Sequence, residues 1–227
     1  MYILDVRVDN LTMDEALWKI RGFLTDGQQH YIVTPNPDFL LKAQKDEEFK
    51  KILNKADLSL PDGIGLIFAS WLTGERLRKR VAGVDLIENC KSKIKNLRVF
   101  LLGGYNGAAE KIALDWPAVV GFSEDADSPE LFARIRECQP NILLVALGAP
   151  KQEKWIVQNL AKVPSVKVAI GVGSALNLLS GQIKRAHELL QAFGLEWFWR
   201  LLLEPRRFKK VWQSVVIFPL LVIKEKL

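Results

Sequence analysis

Histidine and cysteine are scarce, two of each in 227 residues. Cys90 and Cys138 stand far apart and form no metal-ligand or redox spacing, so a reduced, intracellular protein is the simplest reading. His30 and His187 alone argue against a zinc site built from histidines and cysteines. No Gly-x-Ser-x-Gly turn or Ser/His/Asp set is present, and the P-loop pattern is absent. Long apolar runs are missing too. The longest uncharged stretch of the tail, Val211–Ile223, has 13 residues, too few to span a bilayer. The N-terminus carries charges inside its apolar run and lacks a signal-peptide layout.

What is present suits a globular protein with a sizeable core: 49% hydrophobic and 26% charged residues. The net charge of +6 is unevenly spread. Residues 181–227 hold nine Lys/Arg against four Glu, a net of +5. A basic tail calls for an anionic partner, whether nucleic acid, phosphate or a membrane surface. Its aromatics sit among Leu and Val rather than on a polar basic face, which disfavours nucleic acid.

The order of elements follows from periodicity and punctuation. Thr12 and Glu15 form a capping box ahead of a helix over residues 13–24. Strands are expected at His30–Thr34, Asp57–Leu60, Leu97–Gly104, Ala118–Phe122, Asn141–Leu147 and Val166–Val172. Helices are expected between them, among them a single one over Asp38–Lys55. Strands that are nearly all apolar, alternating with helices, predict a mainly parallel, Rossmann-like α/β sheet covered on both faces. Residues 1–181 are assigned to this domain. Residues 182–227 form a helical appendage, with one long helical pattern over Arg185–Glu204 and a basic, apolar stretch from Arg206 to Leu227. That last stretch reads either as an amphipathic segment for a membrane interface or as a helix packing on the core.

Two successive strands end in polar tips marked by proline, at Thr34/Asn36 and at Pro61-Asp62-Gly63. Open α/β sheets bind ligands at such strand ends, although Asp62 also suits a plain helix cap. Four cations between Arg76 and Arg80 read as a solvated loop or as a diphosphate clamp. Gly103 and Gly104 end a strand before a helix in the manner of a nucleotide-binding turn, without the complete G-x-G-x-x-G fingerprint. That gap disfavours a nicotinamide oxidoreductase. Asp125 and Asp127 form a D-x-D, read mainly as acidic capping of the next helix rather than as metal ligands.

Several strings in order resemble one family. They are Thr34-Pro-Asn36, Pro61-Asp-Gly-Ile-Gly65, Arg80-Val-Ala-Gly-Val-Asp85, Leu147-Gly-Ala-Pro-Lys-Gln-Glu153 and Gly171-Val-Gly173. Lys184-Arg-Ala186, Gly194-Leu-Glu-Trp197, Arg200-Leu201 and Glu204-Pro205 complete the set. Together they are similar to the WecG/TagA/CpsF bacterial glycosyltransferases. The resemblance implies a GT-E type fold and an inverting transfer from a UDP-sugar to a sugar on undecaprenyl diphosphate. It places that transfer at the cytoplasmic face of the inner membrane, with no cofactor and no metal. The appendage is expected on an anionic membrane surface, and homo-oligomerisation is left open.

By the same resemblance Asp62 is the general base and Arg80 joins it in catalysis. Thr34, Asn36, Gly63, Asp85, Gly103, Gly104, Gln152, Glu153, Gly173, Asn177, Arg200, Arg206 and Arg207 form the candidate substrate-binding set. Two departures bear on the donor: Leu176-Asn177 stands where the family commonly has Phe-Asp, and His187 where it usually has Pro. N-acetylmannosamine, its uronic acid and glucose all stay open as donor sugars. A nucleotide- or nucleic-acid-binding module with a basic arm is the competing, non-catalytic reading.

Overall fold

The computed structural model describes residues 1–192 and 194–226. Phe193 and Leu227, inside stretches expected to be helical, lie outside the described residues. The chain opens with a hairpin of β1 (Tyr2–Ile3) and β2 (Val6–Arg7). Its two turn residues, Leu4 and Asp5, both have positive φ, the conformation that a tight two-residue hairpin demands. The hairpin is missing from the sequence reading because neither turn residue is glycine or asparagine.

The elements then alternate: α1 (Met13–Phe23), β3 (His30–Val33), α2 (Pro37–Ala43), α3 (Glu47–Lys55), β4 (Leu58–Ser59), α4 (Ile64–Leu72) and α5 (Gly83–Lys93). They continue with β5 (Val99–Gly103), α6 (Ala108–Asp115), β6 (Val119–Ser123), α7 (Leu131–Cys138), β7 (Ile142–Ala146), α8 (Lys151–Asn159), β8 (Val168–Gly171) and α9 (Ala175–Leu179). The capping box at α1 forms as expected, with Thr12 N–H donating to Glu15 at 2.7 Å. The single helix expected over Asp38–Lys55 is two. Asp46 leaves the helical conformation and accepts the Phe49 N–H at 2.9 Å. That break turns both apolar faces, Phe39/Leu40 and Phe49/Leu53, into one cluster.

Six parallel strands run in the order β4-β3-β8-β7-β5-β6. Side chains alternate between the faces, as a two-residue period requires. Ile32, Leu58, Leu101, Leu144 and Ile170 pack beneath α1, α5 and α6. Phe100, Leu102, Leu143, Val145 and Ala169 pack beneath α7 and α8 on the other side. The path from β4 to β5 crosses back over β3, so the loops after β3, β4, β7 and β8 meet at the carboxyl edge, where the strand order reverses. This is the ligand position of open α/β sheets.

The tail departs from one long helix. α10 (Glu188–Ala192) and α11 (Glu196–Leu203) are separated around Gly194. There φ is +70°, and a Cβ would lie 2.9 Å from Ile64, so the chain turns where only glycine fits. A short turn over Pro205–Arg207 leads into α12 (Phe208–Trp212), a π-helical turn at Gln213–Ile217 and α13 (Phe218–Lys226). Pro219, which has no N–H to donate, stands two residues past the widened turn. Phe218 and Val222 are fully buried among Ile3, Phe39, Phe49 and Leu66. Phe208 and Trp212 of α12 and Leu220 and Ile223 of α13 stay exposed. Among the described residues no helix is long and apolar enough to cross a membrane.

Candidate active site

A cleft of about 560 Å³ opens at the carboxyl edge of the sheet, between the loops after β3, β4, β7 and β8 and the tail helices α11–α13. The first polar tip brings in Thr34 and Asn36. Thr34 is buried and donates its hydroxyl to the Gly171 carbonyl at 3.0 Å, tying the end of β3 to that of β8. Asn36 caps α2, its side chain accepting the Phe39 N–H at 3.3 Å.

Asp62 is set by the second tip. Pro61 ends the ladder, the Asp62 N–H donates to the Pro35 carbonyl at 2.8 Å, and the Pro61 carbonyl accepts the Val81 N–H at 2.7 Å. The strand tip is therefore clamped from both sides. Gly63 follows with φ +111°, a turn that leaves Asp62 facing the cleft instead of capping α4, whose N-terminus has no side-chain cap. Deep placement raises the Asp62 pKa to about 6, because burial disfavours the charged form. Arg80 and the Gly83 N–H oppose that rise; Glu196 and Asp85 add to it. A carboxylate tuned to ionise close to neutrality is suited to accepting a proton.

Around Asp62 the charges are interleaved. Arg80 lies 3.4 Å from Glu196 and 3.8 Å from Asp85. Arg185 also pairs with Asp85 and reaches Glu88 at 3.0 Å. Arg200 donates to the Ser174 hydroxyl at 3.1 Å, yet its buried Nε and Nη2 have no hydrogen-bond partner among the described residues. Burial and the nearby Arg207 push the Arg200 pKa down. Unsatisfied guanidinium donors at a cleft wall are matched to an anion that brings its own acceptors. Arg207 pairs with Glu204 at 2.9 Å, and Lys210 reaches across to Asp38 at 2.9 Å, where Lys42 also pairs.

Thr34, Asn36, Asp62, Gly63, Arg80, Gln152, Gly173, Arg200 and Arg207 therefore share the cleft. The other expected site residues stand apart from its lining. Asp85 is held between Arg80 and Arg185. Gly103 and Gly104 sit at the end of β5, where a Cβ on Gly103 would lie 2.7 Å from the Ala146 carbonyl; that glycine serves strand packing. Asn177 is buried and donates to the Tyr105 carbonyl and to Gln182, at 3.2 and 2.8 Å. Arg206 is exposed on the surface.

Gln152 has its amide engaged by protein. Its Oε1 accepts the N–H groups of Gly148 and Gly173, at 3.1 and 2.9 Å, and its Nε2 donates to Glu153 at 2.6 Å. It clips the β7 and β8 loops together. Glu153 is fully buried beneath it, and burial pushes that carboxyl up to about 7. Asp125 and Asp127 lie in the loop after the edge strand β6, with the Asp125 carboxylate taking the Asp127 N–H at 2.9 Å. That is a local turn, outside the cleft lining. Among the described residues no group of three or more His, Cys, Asp and Glu is placed to hold a metal ion.

Glu196, Asp38 and Lys210 are cleft residues that the sequence reading passed over. Glu196 sat inside the quoted Gly194–Trp197 string, but its pairing with Arg80 spans 116 positions and has no local trace. Asp38 only opens a stretch expected to be helical, where an acid in the first turn is common.

Comparison with known proteins gives this cleft its context. A family model described as "Glycosyl transferase WecG/TagA/CpsF family" matches residues 1–227. A Bacillus subtilis (strain 168) protein, N-acetylglucosaminyldiphosphoundecaprenol N-acetyl-beta-D-mannosaminyltransferase, is 33% identical over 225 residues, covering 91% of this chain and 87% of its own. Relatives with the same name are 34% identical in Bacillus spizizenii (83% and 77% covered) and 30% identical in Staphylococcus aureus strain MRSA252 (99% and 92% covered). With the full chain matched, an α/β cleft at the strand tips and one tuned carboxylate among arginines, the protein belongs to the WecG/TagA/CpsF family of glycosyltransferases.

Proposed function

We propose that this enzyme is an inverting transferase that moves N-acetylmannosamine from a UDP-sugar to N-acetylglucosamine carried on undecaprenyl diphosphate. The observation that carries the reading is Asp62, a cleft carboxylate tuned to about 6 beside Arg80, in a cleft that Arg200 and Arg207 also line. The name shared by the relatives supports N-acetylmannosamine as the sugar transferred and the lipid-linked N-acetylglucosamine as its acceptor. Asn177, the departure that left the donor open, donates to protein partners outside the cleft lining, so it gives no reason to prefer another sugar.

In this mechanism Asp62 removes the proton from the attacking acceptor hydroxyl. The hydroxyl oxygen bonds the anomeric carbon as the bond to the departing UDP oxygen breaks on the opposite face, so a single displacement inverts that centre. Negative charge grows on the UDP diphosphate, and arginine donors placed beforehand stabilise it. Arg80, at present paired with Glu196 and Asp85, is the group assigned to that charge, and Arg200 and Arg207 are assigned to the diphosphate of the acceptor. Cations rather than a metal ion meet the diphosphate in this reading, so activity is expected to survive EDTA.

The exposed Phe208, Trp212, Leu220 and Ile223, with Arg206, Lys209 and Lys224 nearby in sequence, suit the interface of an anionic bilayer. These features support a peripheral position in this reading, at the cytoplasmic face where nucleotide sugars are available. The deciding experiment presents a panel of UDP-sugars with N-acetylglucosaminyl diphosphate on a polyprenyl chain and follows UDP release and product mass. Transfer from UDP-N-acetylmannosamine is expected. No transfer from any UDP-sugar would overturn the reading; transfer from a different one would correct the donor alone.

A further inference from the structure

The cleft has apolar walls as well as polar ones. Its outer part is walled on one side by Phe68 and Leu72 of α4, and on the other by Val211, Val215 and Pro219 of the tail helix. These side chains are apolar and open to solvent at the mouth: Phe68 is 52% exposed, Leu72 48% and Val215 45%. Trp71 extends the same face, its ring meeting Phe68 edge-on at 5.1 Å. α4 belongs to the sheet domain and carries no charged residue, so neither the charge nor the position of the basic tail explains its apolar outer face. Such a face left open to water on a monomer marks a contact site.

Continuity identifies the occupant. The apolar walls and the cations Arg200, Arg207 and Lys210 line one and the same cavity. Arg200 contributes a buried Nε and Nη2 that make no hydrogen bond among the described residues, the nearest carboxylate to Nη2 being Glu204 at 3.9 Å. A ligand that fits must join a diphosphate at the inner end to a hydrocarbon chain leaving through the mouth. Neither a nucleotide sugar nor a peptide segment has that shape and polarity.

We infer that Phe68 and Leu72 of α4, opposite Val211, Val215 and Pro219, form a groove that seats the first isoprene units of a polyprenyl diphosphate. The inference rests on the proposed lipid-linked acceptor and adds a site for its chain on the sheet domain. The groove holds the lipid while its diphosphate lies against the arginines, which directs the sugar at the other end of the diphosphate toward Asp62. Chain and head are then recognised by different walls. The π-helical turn at Gln213–Ile217 carries Val215 into this wall, so the widened turn has a positional role there.

Direct binding tests this without requiring turnover. Farnesyl diphosphate and methyl diphosphate are compared by calorimetry, in detergent-free buffer, on the full chain and on Phe68→Ser and Leu72→Ser. Both side chains are about half exposed, and a melting curve for each variant verifies folding. The wild-type chain is expected to bind farnesyl diphosphate at least about tenfold more tightly than methyl diphosphate, because apolar area leaves water. Each serine substitution is expected to shrink that ratio severalfold.

Equal affinity of the wild type for the two ligands overturns the groove. So does a ratio that the serine variants leave intact. Loss of vesicle binding in the variants, with the ratio unchanged, assigns α4 to the bilayer surface instead and likewise overturns it. Failure of the UDP-sugar panel with a normal farnesyl ratio refutes the proposed transfer while leaving the groove standing, so the two readings fail separately.

Discussion

Asp62→Asn separates what this carboxylate does for catalysis from what it costs the fold. The pKa rises from the ordinary aspartate value of 3.8 to about 6, with burial as the leading cause. Two units correspond to roughly 3 kcal/mol; allowing for the side that faces the cleft solvent leaves about 1–2 kcal/mol. The sign follows from proton linkage. Between pH 3.8 and about 6 the folded chain binds the proton more tightly than the unfolded chain, so this group makes stability fall as pH rises. Below about pH 4 both states are protonated and the cost is absent. Above about pH 6 it is fully present.

Asparagine keeps the shape and never ionises. The variant is therefore expected to match the wild type near pH 4 and to melt a few degrees higher at pH 8. Transfer is expected to fall by about 10²–10⁴, the usual contribution of a positioned base. Wild-type kcat/KM is expected to climb with an acid limb near pH 6. Thermal melts across pH and initial rates of UDP release measure both arms. A variant with near-wild-type turnover would refute the base, and one less stable than wild type at pH 8 would refute the argument from burial.

Four further outcomes follow from the structure. Arg80→Ala removes a charge that holds the Asp62 pKa down, so the acid limb is expected to move to higher pH, with a loss of tenfold or more in kcat. Glu196→Gln removes a charge that pushes it up and should move the limb to lower pH; shifts of the same sign in pH-rate profiles would contradict the assignment. Phe218→Ala empties a fully buried position at the junction of the tail helix with α2, α3 and α4 and is expected to cost about 3–5 kcal/mol in urea unfolding. A loss below about 1 kcal/mol would mean that the tail merely rests on the core. Gly103→Ala forces a Cβ to 2.7 Å from the Ala146 carbonyl at φ +87°, and is expected to lower stability by about 2 kcal/mol or more; an unchanged melting temperature would disprove the close approach.

Local chemistry decided much of this protein before any folding. The α1 capping box needs only Thr12 and Glu15, three positions apart. The continuous apolar runs of β5, β7 and β8 state that both faces of the sheet are covered. Pro61 stops a strand and leaves Asp62 at its tip by the geometry of two residues. The strings from Thr34 to Pro205 were enough to suggest the family. Interactions within a turn or a strand leave such traces because their partners are adjacent in the chain.

Tertiary structure alone decided what depends on distant partners. The Asp38–Lys55 stretch is helical in propensity throughout, yet it breaks at Asp46 because two apolar faces gain more by turning into one core. Gln152 was read as a substrate contact, and the fold surrounds its amide with the loops of β7 and β8. Arg80 meets Glu196 across 116 residues, and Lys210 meets Asp38 across the cleft. Phe218 and Val222 look, in sequence, like their exposed neighbours Leu220 and Ile223. Only the packing of α13 against α2 and α4 sets which of them leave water. Charge and hydrophobicity along the chain specify what must be buried or paired; the crossing order of the strands and the path of the tail select the partners.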